Sequence, residues 1–115
     1  MPDRRPDRRR SQRWSPRGQL FVDDDLRGGR LGMISNISAT GMMLISDSEI
    51  PEQAAFQLRI SDFPGGVSSC VLGVESIWTE AASTPGRFWT GFRIIESDPK
   101  FAQAIAAPGP GFDPW

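Results

Sequence analysis

The sequence predicts an all-β protein: a small six-stranded antiparallel β-barrel with a short C-terminal helix and a flexible N-terminal arm. Three observations support this prediction. Six segments of alternating apolar and polar residues are separated by turn signals, a pattern typical of short strands. One segment near the C-terminus has helical spacing. The first 17 residues are mostly Arg, Pro, Ser and Asp, a composition that favours an exposed arm.

The predicted strands follow one another with short connections. In chain order they are "GQLFVDD", "RLGMISN", "GMMLIS", "AFQLRIS", "SCVLGVESIW" and "RFWTGFRII". The second and third are separated by a tight turn, which predicts a hairpin. Gly73 and Gly91 lie inside the last two strands and indicate bends or bulges, which a closed sheet requires.

A short helix is predicted in "SDPKFAQAIAA". Ser97 or Asp98 can cap it, and Pro99 suits its first position. Phe101 and Ile105 are four residues apart and therefore lie on one side. With 115 residues and 38% hydrophobic content, the chain fits one domain. We divide it into an arm (1–17), a barrel with its helix (18–107) and a loose tail (108–115).

Positive charge is concentrated in the arm. Residues 1–18 carry seven arginines and two aspartates, a net charge of +5, whereas the remaining residues carry −6. Because arginine offers a planar fork of five donors, such an arm is suited to phosphate and to planar rings. An acidic body with a basic arm indicates an anionic partner.

The composition also excludes several functions. The chain has no histidine and one cysteine, Cys70, so a Ser-His-Asp triad, a Cys-His pair and a typical zinc site are excluded. We therefore do not expect an enzyme, and we expect no metal and no cofactor. A single cysteine cannot form an internal disulfide, and no apolar run approaches membrane-spanning length. We expect a cytoplasmic protein without membrane insertion.

A second polar motif, "SNISATG", connects the hairpin strands. Asn36 and Ser38 are two residues apart, and Gly41 follows where close backbone approach would require glycine. One interpretation is an ordinary polar turn. The other is a compact set of donors and acceptors suited to a base edge or a sugar-phosphate.

Together, the arginine arm and "NISATG" resemble the PilZ domain family over residues 8–106. That family combines RxxxR on an N-terminal arm with [D/N]xSxxG on its barrel, and it binds the bacterial second messenger cyclic di-GMP between them. Here the motifs would be Arg9 to Arg13 and Asn36 to Gly41. Other arginine pairs also fit RxxxR, and we choose Arg9/Arg13 because it lies immediately before the first strand.

The resemblance implies a role for each motif residue. Arg9 and Arg13 would bind guanine edges and phosphates, while Asn36 and Ser38 would contact the ligand from the barrel and Gly41 would allow close approach. Arg8, just before the motif, would hold part of a second ligand, giving two cyclic di-GMP molecules per chain.

Three further residues have expected positions or contacts of lower priority. Arg10 is another candidate contact. We expect Trp14 to plug the barrel mouth and Trp78 to pack in the core or at the rim.

The resemblance also implies an unidentified downstream protein in motility, exopolysaccharide or virulence control. Two alternatives stay open: an interaction module whose arm docks an acidic partner, and a barrel that binds single-stranded nucleic acid. The acidic body argues against nucleic acid, because such barrels usually present a broad positive groove.

Overall fold

The computed structural model describes residues 12–63 and 69–115, so the candidate residues Arg8, Arg9 and Arg10 lie outside the described part of the chain. In chain order the elements are β1 (Trp14–Pro16), β2 (Phe21–Asp24), β3 (Arg30–Ile37), β4 (Gly41–Ser46), β5 (Ala55–Ser61), β6 (Ser69–Ala81), β7 (Phe88–Ser97), α1 (Pro99–Ala106) and β8 (Phe112–Pro114).

Six of these strands form a closed barrel. Their order is β2-β5-β6-β7-β4-β3, and pairing between β2 and β3 closes the ring. Every pairing is antiparallel. The predicted six-stranded antiparallel barrel is therefore confirmed. Strand β1 pairs with the C-terminal end of β3, and β8 pairs with β1. These two short strands therefore extend the sheet beyond the barrel.

Apolar side chains from alternate strand positions fill the barrel, as the period of two requires. Members of this core that are fully buried include Val22, Ile37, Leu44, Leu58, Ile60 and Leu72. They form one cluster with the apolar side chains of α1.

The helix closes the barrel with an aromatic cluster. Asp98 caps α1 by accepting a hydrogen bond from the Lys100 amide at 2.9 Å, and Pro99 occupies the first position, as predicted. Phe101 is fully buried, and its ring centroid lies 5.7 Å from that of Phe63. Phe63 in turn lies 5.5 Å from Phe112. We call Phe63, Phe101, Ile105 and Phe112 the aromatic plug.

The C-terminal segment differs from the loose tail that the sequence predicted. Phe112–Pro114 forms β8 and pairs with Trp14–Pro16, part of the predicted arm. Burial of Phe112, which is 5% exposed, anchors this segment to the core. An ion pair at 2.9 Å between Arg17 Nε and Asp113 Oδ1 lies beside it. The proline and glycine residues of "PGPGFDPW" favoured a loop, so the sequence did not predict this three-residue strand.

Helix α1 has eight residues, and nowhere in residues 12–63 and 69–115 is there a helix long and apolar enough to cross a bilayer.

Candidate ligand-binding site

Two β-bulges shape one region of the barrel's outer face. In β3 the register with β4 shifts between Ile34 and Asn36, and in β6 the register with β7 shifts between Ser76 and Trp78. A one-residue insertion reverses the face to which the following side chains point. Ile37 thereby stays in the core while Asn36 moves to the outer face.

The bulges bring four residues into one row across four strands. Asn36 of β3 pairs with Met43 of β4, Met43 pairs with Gly91 of β7, and Gly91 pairs with Trp78 of β6. Side chains directly opposite one another on paired strands share a face. The row forms the floor of an open groove of about 360 Å³, which Arg13 and Trp115 also line. We call this the ligand groove.

Gly91 is required at its place in the row. A Cβ atom there would lie 2.6 Å from Trp78 Cε2, so the indole lies directly across the glycine backbone. Gly73 and Gly91 each adjoin a register shift between β6 and β7, as the sequence predicted, and the structure gives Gly91 a packing role as well. Trp78 packs across Gly91 but is 38% exposed and lines the groove, a position that the prediction of core or rim packing did not include.

Arg13 reaches the groove because β1 pairs with β3. Trp14 lies opposite Ile37 in this antiparallel pairing, so Arg13 lies across from Ser38, and its side chain reaches Asn36 diagonally. Trp14 is partly buried against the core, consistent with the plugging role predicted for it. Arg13 Nη1 donates a hydrogen bond of 2.6 Å to Asn36 Oδ1. The structure thus joins one residue from each sequence motif.

This contact fixes the orientation of the Asn36 amide. A guanidinium only donates hydrogen bonds, so the atom facing Arg13 must be the amide oxygen. Asn36 is 1% exposed, and its Nδ2 has no hydrogen-bond partner among the described residues. An unpaired buried donor costs free energy, about 1–3 kcal/mol. A ligand acceptor would remove that cost if a movement of the neighbouring side chains uncovered this buried Nδ2.

Arg13 is a partly desolvated cation. Burial lowers the pKa of its guanidinium from the ordinary value. Because arginine stays protonated in proteins, burial leaves a positive charge that has lost part of its hydration. No carboxylate of the described residues forms an ion pair with it. An anionic group in the groove would therefore be stabilised by this charge.

Ser38 has a structural position within the hairpin turn. Its hydroxyl oxygen accepts hydrogen bonds from the amides of Thr40 at 3.2 Å and Gly41 at 3.1 Å. Its own amide donates to the Gly41 carbonyl at 2.8 Å. Such bonds hold a tight turn without help from other elements. Ser38 is buried and does not line the groove.

Gly41 allows two close approaches. A Cβ atom at this position would lie 2.9 Å from the Phe92 carbonyl oxygen of β7 and 3.4 Å from Arg13 Nη2. A side chain would separate β4 from β7 or displace the guanidinium. The glycine is therefore needed for the position of Arg13, which agrees with the close approach predicted for it.

The groove combines three chemical features. A partly desolvated guanidinium suits phosphate or the acceptor edge of guanine, the Asn36 Nδ2, unpaired in the described part of the chain, suits a further acceptor, and an exposed indole suits an aromatic face. Among the described residues, no cluster of His, Cys, Asp and Glu could hold a metal ion. These features make the protein a candidate for the class of β-barrels that bind an anionic, planar ligand.

Comparisons with known proteins agree with that class. A family profile described as PilZ domain matches residues 7–107. The chain belongs to the PilZ domain family, which confirms the resemblance seen in the sequence. A search among curated proteins found no significant match.

Two solved structures share the fold. One is the Bacillus subtilis inhibitor of motility MotI/DgrA, with a TM-score of 0.68 and 17% identity over 91% of this chain and 53% of that one. The chain thus spans about half the length of MotI/DgrA. The other is the PilZ domain of YcgR from Escherichia coli with c-di-GMP, with a TM-score of 0.63 and 17% identity over 86% of both chains.

Proposed function

We propose that this protein is a cyclic di-GMP receptor whose ligand binds in the ligand groove and against the arm. The observation that carries the proposal is the 2.6 Å contact between Arg13 and Asn36, which joins the two family motifs beside an exposed indole. The related YcgR domain is described with c-di-GMP. Ligand recognition by this chain then rests on its own side chains.

Each groove residue has a matching group on cyclic di-GMP. Guanine O6 and N7 accept hydrogen bonds from one arginine fork, and the phosphates are stabilised by the same charge. Asn36 Nδ2 supplies a further donor, and the Trp78 ring supplies a stacking surface. Ser38 and Gly41 act by fixing the turn and the arginine position. Arg9 would contribute the second guanidinium of RxxxR.

The proposed ligand number is two per chain. Arg8 precedes RxxxR and offers another guanidinium, and a stacked pair of ligands would bring four phosphates to an arm with a surplus of positive charge. Titration calorimetry should give an equivalence point near two, falling toward one in Arg8→Ala. A value near one that Arg8→Ala leaves unchanged would contradict this part.

We propose further that the bound arm changes the surface that a downstream protein recognises, so that the chain acts as an effector and not as an enzyme. Ordering an arm costs about 1–2 kcal/mol per residue, which charged contacts to the ligand must exceed. Because MotI/DgrA is described as an inhibitor of motility, motility control is the first pathway to examine. Hydrogen exchange should show new protection at residues 8–13 upon ligand addition, because Trp14–Pro16 is already paired with β3 and β8 in the absence of ligand.

The central test is titration of the purified chain with cyclic di-GMP at physiological salt. We expect saturable heat and a raised melting temperature, both surviving an excess of single-stranded DNA. Displacement by DNA would favour the nucleic-acid alternative. Absence of heat, thermal shift and NMR perturbation together at micromolar ligand would reject the receptor.

A further inference from the structure

The C-terminal segment brings an unassigned tryptophan to the ligand groove. Strand β8 runs antiparallel to β1, with Pro16 opposite Phe112 and Trp14 opposite Pro114. Beyond this pairing, the Trp115 amide donates a hydrogen bond of 3.0 Å to the Arg13 carbonyl. Trp115 is therefore tied to the same residue that contacts Asn36.

The position of the Trp115 side chain differs from that of its neighbours in β8. Phe112 is 5% exposed and packs in the aromatic plug, whereas Trp115 is 66% exposed. A large aromatic residue contributes to stability mainly through the area it buries, so an indole this exposed contributes little to the fold. It nevertheless lines the groove together with Trp78 and Arg13.

We infer that Trp115 is a ligand-contacting residue that stacks on a guanine base of the bound ligand, an inference that rests on the proposed function. Every base presents a π-face, and exposed indoles are effective stacking surfaces for bases. The backbone at Trp115 is held in place because Phe112 is buried and the Arg13 carbonyl accepts a hydrogen bond from the Trp115 amide. The groove then has aromatic walls from β6 and from the C-terminal segment, with the Arg13 charge available for phosphate.

One consequence is that the C-terminal segment responds to the ligand. Ligand contacts that fix the Trp115 side chain would stabilise the β1–β8 pairing. Two hydrogen bonds already support this pairing, one from the Arg17 amide to the Gly111 carbonyl at 2.9 Å and one from Arg17 Nε to Asp113 at 2.9 Å. The bound ligand therefore links the arm to the segment that follows α1.

The test compares Trp115→Ala and Trp115→Phe in the full chain, titrated with cyclic di-GMP. Loss of a base-stacking ring should weaken binding by roughly 5- to 100-fold in Trp115→Ala, while Trp115→Phe should retain most of the affinity. Ile95→Ala removes another exposed apolar side chain, 58% exposed and not among the groove-lining residues, and should bind normally.

A spectroscopic readout separates stacking from a purely structural role. Ligand-induced quenching of tryptophan fluorescence should be smaller in Trp115→Phe than in Trp89→Phe, because Trp89 does not line the groove. Equal affinity losses in Trp115→Ala and Trp115→Phe with unchanged quenching would overturn the stacking role. Normal binding by Trp115→Ala would overturn the inference and leave the receptor intact, whereas no binding by the wild-type chain would overturn both.

Discussion

The aromatic plug and the ligand groove use similar side chains for opposite purposes. Phe112 and Trp115 are three residues apart in one segment, yet the first is buried in the plug and the second lies open in the groove. Fully burying an aromatic side chain contributes about 1.5–3 kcal/mol. Burial stabilises the plug by this amount, whereas in the proposed site the exposed area of Trp115 stays available for a ligand.

We therefore expect stability and ligand recognition to depend on different residues in this fold. The plug has aromatic rings in edge-to-face and tilted contact at 5.7 and 5.5 Å. The groove has a partly desolvated cation and an amide donor that is unpaired within residues 12–63 and 69–115. Groups that would destabilise a core are thus concentrated on one stretch of the outer face, where a ligand can satisfy them.

The largest expected effect is on stability, from Phe101→Ala in the plug. Removing a fully buried phenylalanine should lower the free energy of unfolding by about 3–5 kcal/mol, because it leaves a cavity beneath α1. Urea unfolding measures the loss, with exposed Leu26→Ala as the control that should change little.

We also expect a plug variant that remains folded to bind cyclic di-GMP normally. Phe101→Leu should retain enough stability for titration, and its affinity should match that of the wild-type chain. A plug variant that stays folded but no longer binds would show that the two regions are not separable.

The reverse pattern is expected for Arg13→Ala. Loss of a charge-assisted contact should weaken cyclic di-GMP binding by about 1.5–3 kcal/mol, while the free energy of unfolding should change far less than in the plug variant. Calorimetry and urea unfolding on the same sample give both values. Arg59→Ala removes an equal charge from a pair with Asp25 outside the groove and serves as the control.

If Arg13→Ala bound as tightly as the wild-type chain, the chosen RxxxR register would be wrong. The arginine at position 5 or 17 would then be the next variant to titrate. If Arg59→Ala lost as much affinity as Arg13→Ala, general charge attraction and not the groove would explain the binding.

Ser38→Ala should produce a smaller, mixed effect. Its hydroxyl accepts from two turn amides, so its loss should cost about 1 kcal/mol in stability and weaken binding indirectly by displacing Asn36. Ser83→Ala, in an exposed loop, is the matched control. An affinity loss equal to that of Arg13→Ala, at unchanged stability, would instead indicate direct contact between Ser38 and the ligand.

Sequence reasoning predicted the barrel because alternation and turn signals are local properties of the chain. It also predicted the cap and the apolar side of α1 for the same reason. The motif residues Arg13 and Asn36 could be selected from spacing and from the family resemblance, although their contact depends on the β1–β3 pairing.

Features that depend on register could not be predicted. The exposure of Trp78 results from the bulge in β6 and from the absence of a side chain at Gly91 on the neighbouring strand β7. The role of Trp115 depends on β8, a three-residue strand hidden among prolines and glycines. One usable signal was present: Gly91 lies in an otherwise bulky strand, where a glycine often marks close approach by another group.

The smallest expected effect at neutral pH concerns Cys70, a buried thiol near the start of α1. Burial, followed by the charge of Asp98, raises the pKa of Cys70 to about 11, while Lys100 lowers it. The folded protein therefore keeps its proton at pH values where the unfolded chain, with an ordinary thiol pKa near 9.0, loses it. Ionisation then favours the unfolded state, so this group has no effect at pH 7 and stability falls as the pH rises from about 9 toward 11.

The fall in urea midpoint between pH 8 and pH 10 should be smaller in Cys70→Ala than in the wild-type chain, and a thiol reagent at pH 8 should label the native protein slowly. Rapid labelling of the folded chain, or an identical pH dependence in Cys70→Ala, would show that this side of the barrel is open to solvent and would break the contrast between a closed plug and an open groove.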